Sequence, residues 1–133
     1  MTAVAQECCS KQGQLTIQRW LSDAKRTGRK DVCAGKRPHA RYTWSTAVMV
    51  TFDQPGHGGP PMHASTRDIS VSGLSFECRR QFSPNTIVRI KAAAWGGSVV
   101  GVVRFCRRSV GAFRVGVEFL PDEEARSDVY HAA

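Results

Sequence analysis

The stretch that decides the fold is YTWSTAVMVTF, residues 42–52. Mostly large side chains occupy every second position from Tyr42 to Phe52, and mostly small ones fill the positions between them. A period of two sends alternate side chains to opposite faces of an extended chain. The stretch therefore predicts a long β-strand that turns one face toward a core.

Five further strand-like segments follow, separated by turn-forming Gly, Pro and Asn residues. They span about residues 63–69, 74–79, 87–94, 98–108 and 112–120. No helical period lies between these segments, which excludes α/β folds with a glycine-rich phosphate loop. Six closely spaced strands instead predict an all-β antiparallel barrel or sandwich.

An amphipathic helix is predicted before the strands, at about residues 14–27, with Gly28 as its stop. Its apolar positions are spaced i, i+3, i+4 and i+7: Ile17, Trp20, Leu21 and Ala24. This stripe needs a partner surface. It either docks on the chain's own barrel, which we favour, or forms a dimer contact.

The chain divides at about residue 35 in this interpretation. Residues 1–35 form an extension that holds the amphipathic helix and a basic loop, and residues 36–133 form the barrel domain. Pro121 and the three acidic residues after it predict a short C-terminal helix, because acidic side chains in a first turn oppose the helix dipole favourably.

The chain carries a strong excess of arginine. Arg supplies 14 of its 19 basic residues, against 11 acidic residues, and the net charge is +8. Arg presents a planar set of donors that pairs with phosphate and stacks on flat rings. The bias favours an anionic, ring-containing ligand, and the alternative is a solvated basic surface.

Catalysis and metal binding have no recognisable pattern in the sequence. The five cysteines are odd in number and lack a CxxC pair, and the four histidines are scattered. No histidine has a triad-like setting, so we expect neither a metal site nor an enzyme. Without an apolar run of about 20 residues or a signal-peptide start, we expect a soluble cytoplasmic protein with no membrane span.

Two short segments together predict a site for an anion and a purine. Arg37 and Arg41 are four residues apart and can both pair with phosphate. Asp68 can accept hydrogen bonds from the N–H groups of guanine, and Ser70 can donate to a phosphate or close the turn. Gly73 ends that turn, where we expect it to supply a positive φ and to let the backbone approach a ligand closely.

These residues resemble the motifs of PilZ domains. RPHAR (Arg37–Arg41) is similar to the RxxxR motif of that family, and DISVSG (Asp68–Gly73) is similar to its (D/N)xSxxG motif. FRVGVEFL (113–120) resembles the last barrel strand, so the resemblance covers about residues 36–121. It implies a six-stranded PilZ-type barrel that binds the bacterial second messenger cyclic di-GMP.

The resemblance also implies a role for each motif residue. Arg37 and Arg41 would bind phosphates and stack on guanine, and Asp68 would bind a guanine edge. Ser70 would support the ligand or the turn, and Gly73 would permit close approach. The candidate contacts extend to three neighbouring residues: Lys36, Arg67 and Ser72.

The expected function is that of a receptor or adaptor without catalytic activity and without a cofactor. It would change conformation on binding cyclic di-GMP and signal to an unidentified effector protein. Two alternatives stay open. One is a barrel that binds nucleic acid without sequence specificity, with Trp44 and Trp95 as stacking platforms. The other is a ligand-free interaction module, in which the helical stripe joins two copies as a homodimer.

Overall fold

The structure is a computed structural model that describes residues 2–30, 39–53, 60–94 and 96–120, with side chains from residue 13 onward. Its elements in chain order are α1 (Thr2–Thr27), β1 (Tyr42–Thr43), β2 (Ala47–Phe52), β3 (Met62–Ile69), β4 (Gly73–Cys78), β5 (Ile87–Lys91), β6 (Ser98–Ser109) and β7 (Ala112–Phe119). The expected short C-terminal helix lies outside the described residues.

Strands β2 to β7 close into a six-stranded antiparallel barrel. The sheet order is β1-β3-β2-β5-β6-β7-β4, and β4 also pairs with β3, which completes the ring. Inward side chains alternate along each strand and form the core, as Leu74, Phe76, Val115 and Val117 do on β4 and β7. The predicted six-stranded antiparallel barrel is confirmed.

The long first strand predicted from Tyr42 to Phe52 is wrong in its continuity. β1 and β2 pair with the same strand, β3, but the chain between them leaves the ladder. The side chain of Thr66 explains the break, because its Oγ1 donates to Trp44 O at 2.7 Å and accepts from Thr46 N at 2.9 Å. The Thr66 hydroxyl thus makes hydrogen bonds to Trp44 and Thr46 that backbone groups of β3 would make in a regular ladder.

The apolar stripe of α1 docks on the chain's own barrel. Trp20 and Ala24 are fully buried, and Ile17 and Leu21 join the same hydrophobic core. The Trp20 and Trp44 rings lie 5.7 Å apart between centroids, and Trp20 Nε1 donates to Gly96 O at 3.3 Å. The favoured docking is therefore confirmed, and this stripe is not free to join two copies.

A buried carboxylate fastens α1 to the barrel. Asp23 is only 9% exposed, and its Oδ2 accepts from the indole N–H of Trp44 at 2.9 Å while its Oδ1 accepts from Arg26 at 2.7 Å. Buried polar groups are tolerated when they are paired, and these two contacts pair both carboxylate oxygens. Because Trp44 is 3% exposed, it is not a stacking platform for nucleic acid, and Trp95, the other expected platform, lies outside the described residues.

The end of α1 continues directly into contact with β1. Thr43 N donates to Arg29 O at 2.8 Å, and Arg29 N donates to the Thr43 side chain at 2.7 Å. A Cβ at Gly28 would lie 1.8 Å from Thr43 O, so only glycine permits this approach. The helix ends at Thr27, as expected, but it begins at Thr2, about twelve residues earlier than the apolar spacing indicated.

No helix among the described residues, α1 included, is both long and apolar enough to cross a membrane.

The thiol of Cys78 is buried and donates to Arg80 O at 3.0 Å. Burial raises the pKa of this thiol above its usual value, which keeps it protonated and unreactive. Cys78 therefore acts as a small buried side chain of the core.

Candidate functional site

A bulge in β3 positions the central carboxylate of the site. The register between β3 and β4 shifts between Thr66 and Asp68. After the shift Asp68 lies opposite Ser75 of β4 and Thr43 of β1, while the next residue, Ile69, is fully buried in the core. Asp68 therefore projects from the outer face of the barrel, with a strand on each side.

Two arginines and a serine bind the carboxylate of Asp68. Arg41 Nη1 donates to Oδ1 at 2.7 Å, and Arg114 Nη2 donates to Oδ2 at 2.8 Å. Ser75 Oγ also donates to Oδ1 at 3.0 Å. The Asp68 side chain is only 16% exposed, so these are charge-assisted bonds with limited competition from water.

The cluster brings together Arg41 and Asp68, one residue from each predicted motif, and leaves the predicted roles of Arg37 and Lys36 untested. Arg41 precedes β1, whose pairing with β3 carries it to Asp68. Arg37 and Lys36 lie outside the described residues. Arg67 is exposed, and its Nε lies 3.4 Å from Glu77 Oε1 rather than at Asp68.

The serine of the second motif closes its own turn. Ser70 is 1% exposed, its backbone N–H donates to Gly73 O at 2.8 Å, and its Oγ accepts from Ser72 N at 3.2 Å and from Gly73 N at 3.3 Å. These bonds form a local serine turn. Of its two expected roles, supporting the turn is the one that these contacts provide, and a ligand contact stays a prediction.

Gly73 has a different structural reason from the one expected. Among the described residues the positive-φ glycines are Gly96, Gly97 and Gly111, so the expectation of a positive φ at Gly73 is wrong. A Cβ at Gly73 would lie 2.2 Å from Val117 O on β7. Glycine is required here because two strands approach closely.

The structure reveals a row of outward residues that the motifs did not indicate. Asp68 of β3 pairs with Ser75 of β4, which pairs with Gly116 of β7, which pairs with Phe105 of β6. With strands about 4.8 Å apart, the row spans about 14 Å across the outer face. It joins a carboxylate, a hydroxyl, a glycine and an aromatic ring.

Arg114 is the functional candidate that sequence reasoning missed. It lies 46 residues beyond Asp68, in FRVGVEFL, and reaches it only because β7 pairs with β4. The period of two along β7 does place Arg114 and Gly116 on one face, which was the available signal. The register between β4 and β7 places Arg114 next to Asp68, and it cannot be read from the sequence of either strand alone.

Two depressions border the cluster. The larger cleft, of about 640 Å³, lies between the end of α1, β1 and β3 and is lined by Thr27, Gly28, Thr43, Arg67, Asp68 and Arg114 among others. The second, which we name the Phe105 cavity, has about 180 Å³ and includes Arg41, Ser72, Gly73 and Phe105 in its lining. Asp68 and Arg41 contact each other, so the two depressions meet at this ion pair.

The surroundings of Asp68 favour an anionic ligand. Arg41 and Arg114 bring two positive charges to one carboxylate, which leaves a net positive cluster on the outer face. Each guanidinium has five N–H donors, and one of them binds Asp68 in each case. The two arginines can therefore bind a phosphate with their remaining N–H donors while they keep their hydrogen bonds to the Asp68 carboxylate.

The comparisons with known proteins agree with the motifs and the barrel. A family model described as PilZ domain matches residues 35–130, which is most of the chain. The match includes both motifs and every strand of the barrel. No curated protein matched the chain.

Proposed function

The chain belongs to the PilZ domain family, and we propose that it is a receptor for cyclic di-GMP that binds at the Asp68 face of the barrel. The observation that carries this proposal is the cluster of Arg41, Asp68 and Arg114 on the outer surface. A carboxylate between two arginines offers donors for phosphate and an acceptor for the N–H groups of guanine.

The lone carboxylate favours a guanine nucleotide over a generic polyanion. A surface that binds nucleic acid through phosphates alone has no need for a carboxylate at its centre, since that charge repels phosphate. Asp68 is held at the site by three hydrogen bonds, so it cannot move away from an approaching ligand without breaking them. The proposed role of Asp68 is to accept from a guanine edge while Arg41 binds a phosphate.

The RxxxR motif supplies the remaining phosphate donors in this proposal. Arg37, four residues before Arg41, would bind the second phosphate of the cyclic ligand, and Lys36 is its neighbour in the sequence. Ser72 lines the Phe105 cavity next to Arg41, and Arg67 lines the larger cleft next to Asp68. Both are therefore in reach of a ligand that spans the ion pair, whereas Ser70 and Gly73 would act through the turn.

Signalling to an effector is proposed to pass through β1. Arg41 directly precedes β1, and β1 is hydrogen-bonded to the residues that follow α1. A ligand that changes the direction of Arg41 would alter this connection and with it the surface around the end of α1. Such a switch requires that the ligand bind one arrangement better than the other.

The protein would thus act as an adaptor and not as a catalyst, and its ligand implies a bacterial cytoplasmic setting. The partner is an unidentified effector or a second copy of the chain. Nucleic-acid binding is the other outcome that a test must separate. It would give steeply salt-dependent affinity for single strands that does not depend on Asp68.

Calorimetric titration with cyclic di-GMP tests the proposal. We expect saturable binding by the wild type and a loss of at least about tenfold in Arg41→Ala, because a hydrogen bond to a charged group contributes about 1.5–3 kcal/mol. Lys91→Ala is the matched control, since Lys91 is an exposed cation on β5 and does not line either depression. An absence of heat at tens of micromolar wild-type protein contradicts the proposal.

A further inference from the structure

We propose that one end of the barrel docks on the surface of a lipid bilayer that contains anionic phospholipids. The contact is made by the tip of the β6–β7 hairpin, Val110 and Gly111, and by four exposed arginines. We name these arginines the arginine patch: Arg79, Arg80, Arg107 and Arg108. The inference goes beyond the proposed function and does not depend on cyclic di-GMP binding.

Strand register brings the arginine patch together from two separate segments. Cys78 of β4 and Arg108 of β6 both lie opposite Phe113 of β7, one on each side of that strand. Two strand spacings of about 4.8 Å place the backbones of Cys78 and Arg108 about 10 Å apart. Arg79 directly follows Cys78, and Arg107 directly precedes Arg108, so both pairs of cations lie at the same end of the barrel.

The arginine patch is a different surface from the Asp68 face. Asp68 lies opposite Ser75 on β4, and Arg79 is four residues beyond Ser75, about 13 Å farther in the strand direction. The helix α1 binds Gly96, just before β6 begins. The patch arginines of β6 lie instead near the far end of this 12-residue strand. A partner at the arginine patch therefore approaches the barrel from the end opposite to α1.

The arginine patch carries positive charge that the fold does not neutralise. Within the described ranges, none of its four members forms an ion pair with a carboxylate. Arginines elsewhere in these ranges do form such pairs, as Arg26, Arg41, Arg67, Arg89, Arg104 and Arg114 do. Clustered charge of one sign attracts partners of the opposite sign. The partner of the arginine patch is therefore anionic.

Aromatic rings position two of these guanidinia. Arg80 lies over the ring of Phe52, 4.6 Å from its centroid, and Arg108 lies over the ring of Phe113 at 5.8 Å. Such cation–π contacts stabilise the positions of the charges. Both rings are half-buried, and each has an arginine on one face. The same ring face is thus not available to stack on a nucleic-acid base, which is the contact that single strands use.

The hairpin tip adds an apolar group next to the charges. The side chain of Val110 is fully exposed, at 103%. Gly111 supplies the positive φ of the turn, at 70°, but Val110 has no such function, and tight turns usually have polar residues. Single exposed valines are common, but this one projects from the tip of a hairpin that carries two patch arginines.

An anionic bilayer matches this combination better than nucleic acid does. Lipid headgroups attract the arginines, and the apolar region just below the headgroups accepts a small apolar side chain. A phosphate backbone binds the cations but offers Val110 no comparable apolar region. The apolar tip is therefore the feature that selects a bilayer as the partner.

Co-sedimentation of the full chain with lipid vesicles tests the proposal. We expect binding to vesicles of mixed phosphatidylcholine and phosphatidylglycerol that weakens as salt rises, because salt screens exposed charges. Vesicles of phosphatidylcholine alone should bind far less protein. Equal binding to the two kinds of vesicle, or binding to neither, overturns the proposal.

The double variant Arg79→Gln/Arg108→Gln tests the arginine patch. We expect vesicle binding to weaken about 25-fold, since each arginine near an anionic surface contributes about fivefold in affinity. Lys30→Gln/Lys91→Gln is the matched control, because it removes the same charge from two exposed residues outside the patch. The control should bind vesicles like the wild type. Equal losses in the two double variants would show that only net charge matters, and would overturn the proposal.

Val110→Asn tests the apolar tip without a change of charge. We expect about fivefold weaker binding to the mixed vesicles, because the side chain no longer gains from leaving water. The midpoint of urea denaturation should not move, since Val110 is fully exposed and Asn is a common turn residue. Vesicle binding equal to that of the wild type overturns the role of the tip.

A single-stranded oligonucleotide separates the nucleic-acid outcome. If the wild type binds the oligonucleotide but not the mixed vesicles, and Arg79→Gln/Arg108→Gln loses that binding, the arginine patch is a nucleic-acid surface and the proposal is wrong. The affinity for cyclic di-GMP should be equal in the wild type, Arg79→Gln/Arg108→Gln and Val110→Asn. Failure of the bilayer proposal therefore leaves the proposed function intact.

Discussion

Asp68 is the residue on which the site is organised. It is held by Arg41, Arg114 and Ser75, which belong to three different parts of the chain. The carboxylate neutralises part of the surrounding positive charge in the absence of ligand. A ligand with phosphates and guanine N–H groups can satisfy the arginines and the carboxylate at once, whereas a simple anion satisfies only the arginines.

Arg114 is expected to contribute to ligand binding as strongly as the motif residue Arg41. We predict that Arg114→Ala weakens the binding of cyclic di-GMP about tenfold and lowers the salt dependence of that binding, because one cation is lost next to Asp68. Calorimetry at two salt concentrations measures both effects.

Arg108→Ala is the control for Arg114→Ala. It makes the same charge change on the neighbouring strand, but Arg108 lies over Phe113 and not at Asp68. Equal losses in the two variants would indicate that only the net charge of the surface matters, in conflict with a site built on Asp68.

At the scale of single residues, the sequence predicted the two motifs and the turn that Ser70 closes, but not the structural role of Gly73. Arg41 and Asp68 do meet, as a site requires. The role of Gly73 depended on geometry, because the 2.2 Å approach to Val117 O exists only once β4 lies against β7. Arg114, Ser75 and Phe105 were missed for the same reason, since strand register is a property of pairs of strands.

The connection between α1 and the barrel is the main feature at the scale of elements. Its polar centre is Asp23, which accepts from Trp44 in a buried setting. We predict that Asp23→Ala lowers the free energy of unfolding by about 1–3 kcal/mol, because the indole N–H loses its partner without access to water. Urea denaturation measures the change.

A control for this prediction lies on the same helix. Gln18 is exposed, and Gln18→Ala should change the free energy of unfolding by less than about 0.5 kcal/mol. If Asp23→Ala is as stable as Gln18→Ala, the bond to Trp44 does not fasten the helix.

Gly28 is expected to be essential where α1 meets β1. In Gly28→Ala the new Cβ would lie 1.8 Å from Thr43 O, so the helix end and β1 must separate. We predict a loss of stability larger than that of Gly111→Ala, together with weaker ligand binding, since β1 follows Arg41. Urea denaturation and calorimetry measure the two effects.

Gly111→Ala separates backbone conformation from crowding. Gly111 has a φ of +70° and nothing within 4 Å of its missing Cβ, so its substitution should cost about 1 kcal/mol of conformational strain only. Equal costs at the two glycines would show that the approach of α1 to Thr43 is dispensable.

The strands themselves were largely predictable because their alternation is local. The exception is the break between β1 and β2, which the continuous alternation from Tyr42 to Phe52 conceals. Its cause, the hydroxyl of Thr66, lies on another strand. The start of α1 was also misplaced, since the apolar stripe that predicted the helix begins only at Ile17, whereas the helix begins at Thr2.

At the scale of the whole molecule, the barrel is a rigid support for a site on its outer face. Its closed ring leaves no unpaired edge among the six strands, and its core holds α1 as well. The site lies where α1, β1 and the row from Asp68 to Phe105 come together. In the proposed function, ligand binding at this place would change the surface near α1 without opening the core.

Amide chemical-shift mapping during a cyclic di-GMP titration tests the central claim most directly. If the ligand binds at the Asp68 face, the largest shift changes will occur at Asp68, Ser72, Ser75, Arg114 and Gly116. The dissociation constant fitted to these changes will equal the one that calorimetry gives. The amide of Lys91, on the other side of the barrel, should not move. Shifts that are absent, or that appear on β5 and not on this face, would contradict the account.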